Sequence, residues 1–159
     1  SPRGVQSRLS SSHPNRVRPG GRPVVTPAPI IATQGDESWA LACPGGDVIV
    51  QAMAQVMWRV MTTSASLQEA VEAPRFASFS VPSAFHPHPS ADRLVYTEGR
   101  IAEREREQLR AQGHHVEVWP DFEFDAGSVQ TIQSAPNTQG ERVLTAGADP
   151  RRLAYGLAR

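Results

Sequence analysis

The chain contains no lysine, so all sixteen of its basic side chains are arginines. It has a single cysteine, Cys43, which excludes an intrachain disulfide and a cysteine-based zinc site. No apolar run approaches the roughly 20 residues of a membrane-spanning helix, and the first residues lack the apolar segment of a signal peptide. We therefore expect no membrane partner, while the choice between a cytoplasmic and a periplasmic or extracellular location stays open.

Acidic residues are absent until Asp36, whereas residues 1–25 carry five arginines among many prolines and glycines. A basic arm can bind nucleic acid through its phosphates. This one has no interleaved aromatic residue, so its composition favours an irregular loop. We assign 1–25 to an irregular basic segment and expect no nucleic-acid partner.

From residue 26 onward, periodic patterns predict one α+β domain, and 159 residues suit a single domain. "APIIAT" and "SWALAC", separated by "QGDE", predict a β-hairpin. After the glycines that follow, Asp47 is the expected N-cap of a helix. Its inward residues recur at helical spacing: Ile49, Met53, Val56, Met57 and Val60.

The second half of the chain predicts two helices and several strands. Ser66 and Glu69 form a capping-box pattern for a short helix that Pro74 ends. "RLVYTE" and "HHVEVW" predict strands on either side of a helix with Ile101 and Leu109 inward and Gly113 at its end. "SVQTIQ" and "RVLTAGA" predict two further strands.

Histidine and carboxylate clusters are the first candidates for chemistry. His86 and His88 lie in a proline-stiffened loop without a third ligand, and His114 and His115 face opposite sides of a strand, so we expect no metal site and no cofactor. "DFEFD", residues 121–125, alternates three carboxylates with two aromatics. Its acids could do acid–base chemistry, but an exposed, charged strand edge is the favoured interpretation.

Nucleophiles are equally weak candidates. A free N-terminal Ser1 could attack with its own amino group as base, yet Pro2 and its loop context favour a plain chain end. Cys43 has no activating base that the sequence places beside it, and we interpret it as a small buried residue at a strand end.

The strongest candidate is "CPGGDVIV". Pro44 has no N–H group, whereas Gly45 and Gly46 have one each, and without a Cβ they allow an acyl group to approach the backbone. The helix that follows adds its N-terminal dipole. The pattern indicates an oxyanion hole, although a plain strand-to-helix turn uses the same residues.

An ordered series of motifs resembles the gamma-glutamyltranspeptidase family: "HPNRVRPGGRPVVTPAPII", "ACPGGDVIVQAMAQV", "LQEAVEAPRF", "GHHVEV", "GSVQTI" and "GADPRR". The resemblance runs from about His13 to near the last residue. It implies an N-terminal-nucleophile hydrolase with a four-layer αββα sandwich of antiparallel strands and flanking helices. It also implies a proenzyme that cleaves itself into a large and a small subunit. Residues 26–159 would be the C-terminal portion of the small subunit.

The resemblance assigns roles to four residues. The two oxyanion glycines of the family fall on Gly45 and Gly46. A serine pair that binds the glutamyl α-carboxylate falls on Val25 and Thr26, and Val25 cannot donate a hydrogen bond.

The threonine nucleophile that the resemblance implies has no counterpart here, since Thr62 and Thr63 lie at a helix end. This chain alone is therefore expected to be inactive without the large subunit and the preceding part of the small subunit. The leading interpretation is a gamma-glutamyltransferase or glutathione hydrolase that acts on γ-glutamyl amides through an acyl-enzyme. The alternatives are an amidohydrolase or acylase of the same fold with a non-glutamyl acyl group, and a non-catalytic interaction domain.

Overall fold

The computed structural model describes residues 2–157. These described residues form four α-helices: α1 (Pro2–Val5), α2 (Ile49–Thr62), α3 (Leu67–Glu72) and α4 (Glu103–Ala111). The same part of the chain forms seven strands: β1 (Ile30–Gln34), β2 (Glu37–Ala42), β3 (Phe76–Ser78), β4 (Leu94–Glu98), β5 (His115–Trp119), β6 (Gln130–Pro136) and β7 (Arg142–Ala148). The α+β class is confirmed.

Four strands form an antiparallel sheet in the order β1-β2-β6-β7. The predicted hairpin is confirmed, because β1 pairs with β2 from Ile30↔Leu41 to Gln34↔Glu37. The two late strands also pair as predicted, from Gln130↔Ala148 to Pro136↔Arg142. The alternation of apolar and small residues in these strands gives the sheet two distinct faces.

One face of this sheet packs against α2 and α3. Trp39 and Leu41 from β2 are 5% and 2% exposed, and they join a core cluster with the inward residues of both helices. Four of the five residues predicted to face inward on α2 are buried, and Val60 packs against the edge of the same cluster. Burying these side chains supplies most of the hydrophobic stabilisation.

The opposite face of the sheet is exposed and apolar. Ile31, Ala40 and Ile132 lie in one cross-strand row, since Ala40 pairs with both isoleucines. Ile31 is 81% exposed and Ile132 is 50% exposed, and Leu144 of β7 is equally open at 50%. Of the described residues, Gly156 lies against Ala146 on this face, where an added Cβ would be 3.2 Å from the Ala146 Cβ, but Ile31, Ile132 and Leu144 stay exposed.

A smaller sheet has the order β3-β4-β5. In it β3 and β4 are antiparallel, whereas β4 and β5 are parallel. The reason is α4, which returns the chain to the starting end of β4, as a β-α-β crossover requires. Ile101 and Leu109, predicted to face inward, are only half-buried, because α4 lies on the surface.

The predicted cap of α3 is confirmed, and the predicted cap of α2 is wrong. The Ser66–Glu69 capping box of α3 is present: the Ser66 N–H donates to Glu69 Oε2 at 2.8 Å, and the Glu69 N–H donates to Ser66 Oγ at 3.3 Å. Asp47 is not the N-cap of α2, because it lies inside a 3₁₀ turn, Gly46–Val48, that precedes the helix. Its carboxylate accepts instead from the Ala84 N–H at 3.0 Å, 37 residues away.

The strand predicted at residues 121–125 is also wrong. This segment forms a turn followed by a 3₁₀ helix, Phe124–Ala126. Phe122 adopts a φ of 55°, and the Arg100 guanidinium carbon lies 3.7 Å from the centre of its ring. A long-range contact therefore overrides the local alternation of charged and aromatic residues.

The first part of the chain contributes little regular structure. Between α1 and β1 the chain forms turns and one isolated bridge, Arg8↔Arg16. The boundary at residue 25 stays a prediction. None of the described helices is both long and apolar enough to cross a membrane.

Candidate active site

The Pro-Gly-Gly turn joins the end of β2 to the helical turn before α2. Gly45 has φ 144° and Gly46 has φ 62°, both in the region that favours glycine. A Cβ on Gly45 would lie 2.8 Å from Val48 Cγ2 and 3.3 Å from Gly127 Cα. Backbone conformation and crowding therefore both select glycine at position 45.

The turn leaves two consecutive N–H groups that have no acceptor within residues 2–157. Among the described residues, neither Gly45 nor Gly46 donates a backbone hydrogen bond, while the Val48 N–H donates to the Gly45 carbonyl at 3.3 Å. Two adjacent free donors ahead of a helix can stabilise an oxygen anion.

One side of the turn opens into a cleft of about 670 Å³, which we call the N-terminal cleft. The residues that line it include Gln6, Val25, Thr26, Gly45, Gly46 and Gln130. The structure thus brings together all four residues to which the sequence assigns a site role, although their roles stay predictions. No charged side chain is found among the described residues that line this cleft.

Gln6 is a lining residue that sequence reasoning missed. Its side chain is only 6% exposed, and it has no hydrogen-bond partner among the described residues. Gln130, also missed, donates from Nε2 to Ser128 Oγ at 3.0 Å. No local pattern in the sequence marks either glutamine, since Gln6 follows α1 and Gln130 opens β6.

Cys43 lines the same cleft but lacks the features of a nucleophile. Its thiol donates to the Pro44 carbonyl at 3.0 Å, and burial raises the pKa of the thiol. Cys43 is half-buried just beyond the end of β2, close to the predicted strand-end position. A thiol with a raised pKa is mostly protonated at neutral pH and reacts slowly.

On the other side of the turn lies a second cleft of about 580 Å³, which we call the aromatic cleft. Three packed rings are among its lining residues: Tyr96 and Trp119 stack with centroids 4.9 Å apart, and Phe79 meets Tyr96 edge-on at 5.5 Å. Gly45, Gly46 and Phe85 line both clefts. The Phe85 ring lies 3.0 Å from where a Cβ on Gly46 would sit.

Behind the turn, a buried ion network joins the "EAPRF" and "GADPRR" motifs. Arg75 pairs with Asp149 at 2.5 Å and donates to the Gly127 carbonyl at 3.0 Å. A Cβ on Gly127 would touch Cys43 Sγ at 2.9 Å, so this backbone lies directly against the Pro-Gly-Gly loop. The network therefore fixes the segment that backs the candidate oxyanion site.

Glu98 and Arg151 complete the network, and both side chains are fully buried. Arg151 donates to the two Glu98 oxygens at 2.6 Å each and to Asp149 Oδ1 at 3.1 Å. Sequence reasoning noticed the motifs but not the ion pairs. One feature of the sequence could have indicated the pairs: Arg75 follows Pro74, and Asp149 and Arg151 flank Pro150.

The threonine candidates lie apart from this site. Thr62 and Thr63 donate to the Trp58 and Arg59 carbonyls at 2.6 and 2.7 Å, at the end of α2 away from the turn. His86 and His88 contact each other edge-on with centroids 5.9 Å apart. Within the described residues no group of three histidine, cysteine or acidic side chains could hold a metal ion. Ser1 lies outside the described residues.

Comparison with known proteins gives one consistent family. The model of the gamma-glutamyltranspeptidase family matches residues 2–158. The chain is 31% identical over 160 residues to the Acylase ACY 1 proenzyme of Pseudomonas sp. (strain V22). That match covers 92% of this chain and 25% of the acylase, so the chain spans about a quarter of this relative.

Solved structures agree on the fold. A gamma-glutamyltranspeptidase mutant from Helicobacter pylori superposes with a TM-score of 0.75 at 22% identity, over 94% of this chain and 79% of that chain. The gamma-glutamyltranspeptidase of Pseudomonas nitroreducens, complexed with L-DON, gives 0.70 at 24% identity, over 94% and 70%. These relatives are hydrolase or transferase enzymes, and the chain belongs to the gamma-glutamyltranspeptidase family of N-terminal-nucleophile hydrolases.

Proposed function

We propose that the full protein cleaves amides through an acyl-enzyme and that Gly45 and Gly46 stabilise the oxyanion of the tetrahedral intermediate. The observation that carries this proposal is the pair of free N–H groups at the Pro-Gly-Gly turn, on residues that line the N-terminal cleft. The nucleophile is a threonine at the start of the small subunit, outside this chain. Its hydroxyl attacks the amide carbonyl, the amine leaves, and water or a second amine then takes the acyl group.

The partners in this proposal are the large subunit and the preceding part of the small subunit. Supporting it, the four-stranded sheet packs helices on one face only and leaves Ile31, Ile132 and Leu144 exposed on the other. A second sheet packed there would bury those side chains and complete a sandwich of four layers. The limited share of each relative that this chain spans is consistent with further segments.

We infer that the acyl group is not γ-glutamyl. Val25 offers no hydrogen bond, and the described residues of the N-terminal cleft carry no positive charge for an α-carboxylate. A buried carboxylate left without its partner costs about 1–3 kcal/mol or more. The cleft supplies neutral donors instead, the Thr26 hydroxyl and the Gln6 amide, which suit an uncharged polar acyl chain. One relative of this chain, at 31% identity, is named an acylase rather than a glutamyltranspeptidase.

Anilide substrates separate the two acyl classes. The full protein should hydrolyse a p-nitroanilide with an uncharged polar acyl chain, such as 5-hydroxypentanoyl, faster than γ-glutamyl-p-nitroanilide. If the γ-glutamyl substrate is the better one, the acyl assignment is wrong and γ-glutamyl transfer takes its place. If neither substrate nor any related amide is turned over, the non-catalytic interpretation takes the place of the enzyme.

A substitution at the turn tests the oxyanion role. Gly45→Val should lower kcat by about 100-fold to 1,000-fold with little change in KM, because the oxyanion develops only in the transition state. Gly35→Val is the matched control: Gly35 also has a positive φ, 57°, but lies in the β1–β2 turn with nothing within 4 Å of an added Cβ. An unchanged kcat with a raised KM would show that the role is wrong.

A further inference from the structure

The aromatic cleft has no role in the function proposed so far. It meets the N-terminal cleft at Gly45, Gly46 and Phe85, the residues that line both. An amide has two halves on opposite sides of its carbonyl group, and an oxyanion site between two clefts would receive that carbonyl. The N-terminal cleft holds the positions assigned to the acyl half, which leaves the aromatic cleft for the amine half.

We propose that the aromatic cleft is the subsite for the amine half of the substrate, and that it selects amines with an aromatic or apolar body and no carboxylate. This inference rests on the proposed amide chemistry and adds the class of the leaving amine and of the accepting amine.

The wall of the cleft supports an aromatic body. Phe79, Tyr96 and Trp119 pack together, with Phe79 edge-on to Trp119 at 6.2 Å, and each ring remains only half-buried. Their open faces and edges can stack with a further ring. The same π-surfaces attract a cation.

The charge of the cleft supports an amine. Asp47 and Asp125 are among its lining residues, and no arginine or histidine is among those described. Asp47 is held in place by the Ala84 N–H at 3.0 Å, whereas no described residue donates to the Asp125 carboxylate. Two carboxylates attract an ammonium group and repel an anion, so an amine with its own carboxylate is disfavoured.

The acylation step balances with this assignment. The bond from the nucleophile oxygen to the carbonyl carbon forms, the carbon–nitrogen bond breaks, and the proton of the nucleophile passes to the leaving nitrogen. The free amine takes a second proton from water and becomes an ammonium ion, the species that the two carboxylates stabilise. An accepting amine enters by the reverse route and gives up a proton before it attacks the acyl-enzyme.

Equilibrium binding to the full protein tests the cleft without relying on turnover. The probes are 2-phenylethylamine and 3-phenylpropanoate, which share a ring and a similar length but carry opposite charges. The amine should bind at least tenfold more tightly. Trp119→Leu should weaken amine binding about tenfold, and Asp125→Asn should weaken it severalfold.

Matched variants keep these measurements specific. Trp58→Leu removes a tryptophan that is 70% exposed on α2 and does not line this cleft, and Asp36→Asn removes a carboxylate from the β1–β2 turn. Both should bind 2-phenylethylamine like the unmodified protein. The inference is overturned if the propanoate binds as tightly as the amine, or if Trp119→Leu and Trp58→Leu weaken binding equally.

Turnover then links the cleft to the amine half. Trp119→Leu should lower kcat/KM for an N-(2-phenylethyl) amide about tenfold relative to the primary amide of the same acid, and Trp58→Leu should leave this ratio unchanged. An unchanged ratio in Trp119→Leu rejects the subsite. If the protein turns over no amide, the proposed function is wrong instead. If such a protein still binds 2-phenylethylamine, the cleft is an amine site of a non-catalytic protein.

Discussion

Replacing Glu98 by glutamine should destabilise the fold by about 3–5 kcal/mol, the usual cost of breaking a buried ion pair. The Glu98 side chain is fully buried, and its two oxygens accept five hydrogen bonds. The donors are Arg75 N, Arg100 Nη2, Glu123 N and two nitrogens of Arg151. An amide in place of the carboxylate must point its NH₂ group at donors in either orientation, and it leaves Arg151 with one carboxylate partner instead of two.

The assay is thermal or urea unfolding, with Glu103→Gln as the control. Glu103 also pairs with two arginines, Arg106 at 2.7 Å and Arg110 at 2.6 Å, but its side chain is 54% exposed on α4. For a chain of this size, Glu98→Gln should lower Tm by about 10 °C, while Glu103→Gln should leave Tm nearly unchanged. Equal effects of the two substitutions would show that burial does not set the contribution of the Glu98 ion pair to stability.

Acid titration gives the same prediction a second readout. Burial alone would raise the pKa of Glu98, but the hydrogen bonds and charge of Arg151 and the N–H groups of Arg75 and Glu123 outweigh it, so this pKa is lowered. The unfolded chain therefore takes up the proton first as pH falls. The stabilisation is complete above the ordinary glutamate pKa of 4.5 and is lost as pH falls through the lower folded-state pKa. Glu98→Gln should flatten this part of the stability profile.

Two smaller predictions concern α3 and the lone thiol. Ser66→Ala should cost about 1 kcal/mol of unfolding free energy by removing the capping box, measured against Ser64→Ala just before the cap, and equal losses would contradict the cap's contribution. Cys43 should react slowly with a thiol reagent at pH 7, because burial raises its pKa, and urea should make it react fast. Immediate labelling of the folded protein would show that the thiol is open and activated.

The sequence predicted the elements whose signals are local. The hairpin, α2, the capping box of α3 and the final strand pair all follow from residues within a few positions of one another, where periodicity and turn chemistry act directly. The Pro-Gly-Gly turn was predicted for the same reason, because the positive φ angles that it requires fall on consecutive glycines.

Predictions failed where a distant residue decides the local structure. Asp47 has the sequence position of an N-cap, but its carboxylate accepts from the Ala84 N–H instead. "DFEFD" has the pattern of a strand, but its contacts with Glu98 and Arg100 stabilise a turn. The aromatic cleft is assembled from Phe79, Tyr96 and Trp119, which belong to three separate segments. Such sites exist only after tertiary packing, so no window of sequence reveals them.

The buried ion network also sets an order on the folding of the chain. Arg151 donates to Glu98, 53 residues earlier, and to the Val71 carbonyl, 80 residues earlier. During synthesis, Arg100 can pair with Glu98 at once, but Arg151, its fully buried partner, leaves the ribosome much later. The native burial of Glu98 needs the two hydrogen bonds of Arg151 in addition to that of Arg100, so we expect the cooperative step of folding to come late and to depend on contacts of high sequence separation. Ribosome-bound chains that stop short of Arg151 should therefore remain sensitive to protease around β4.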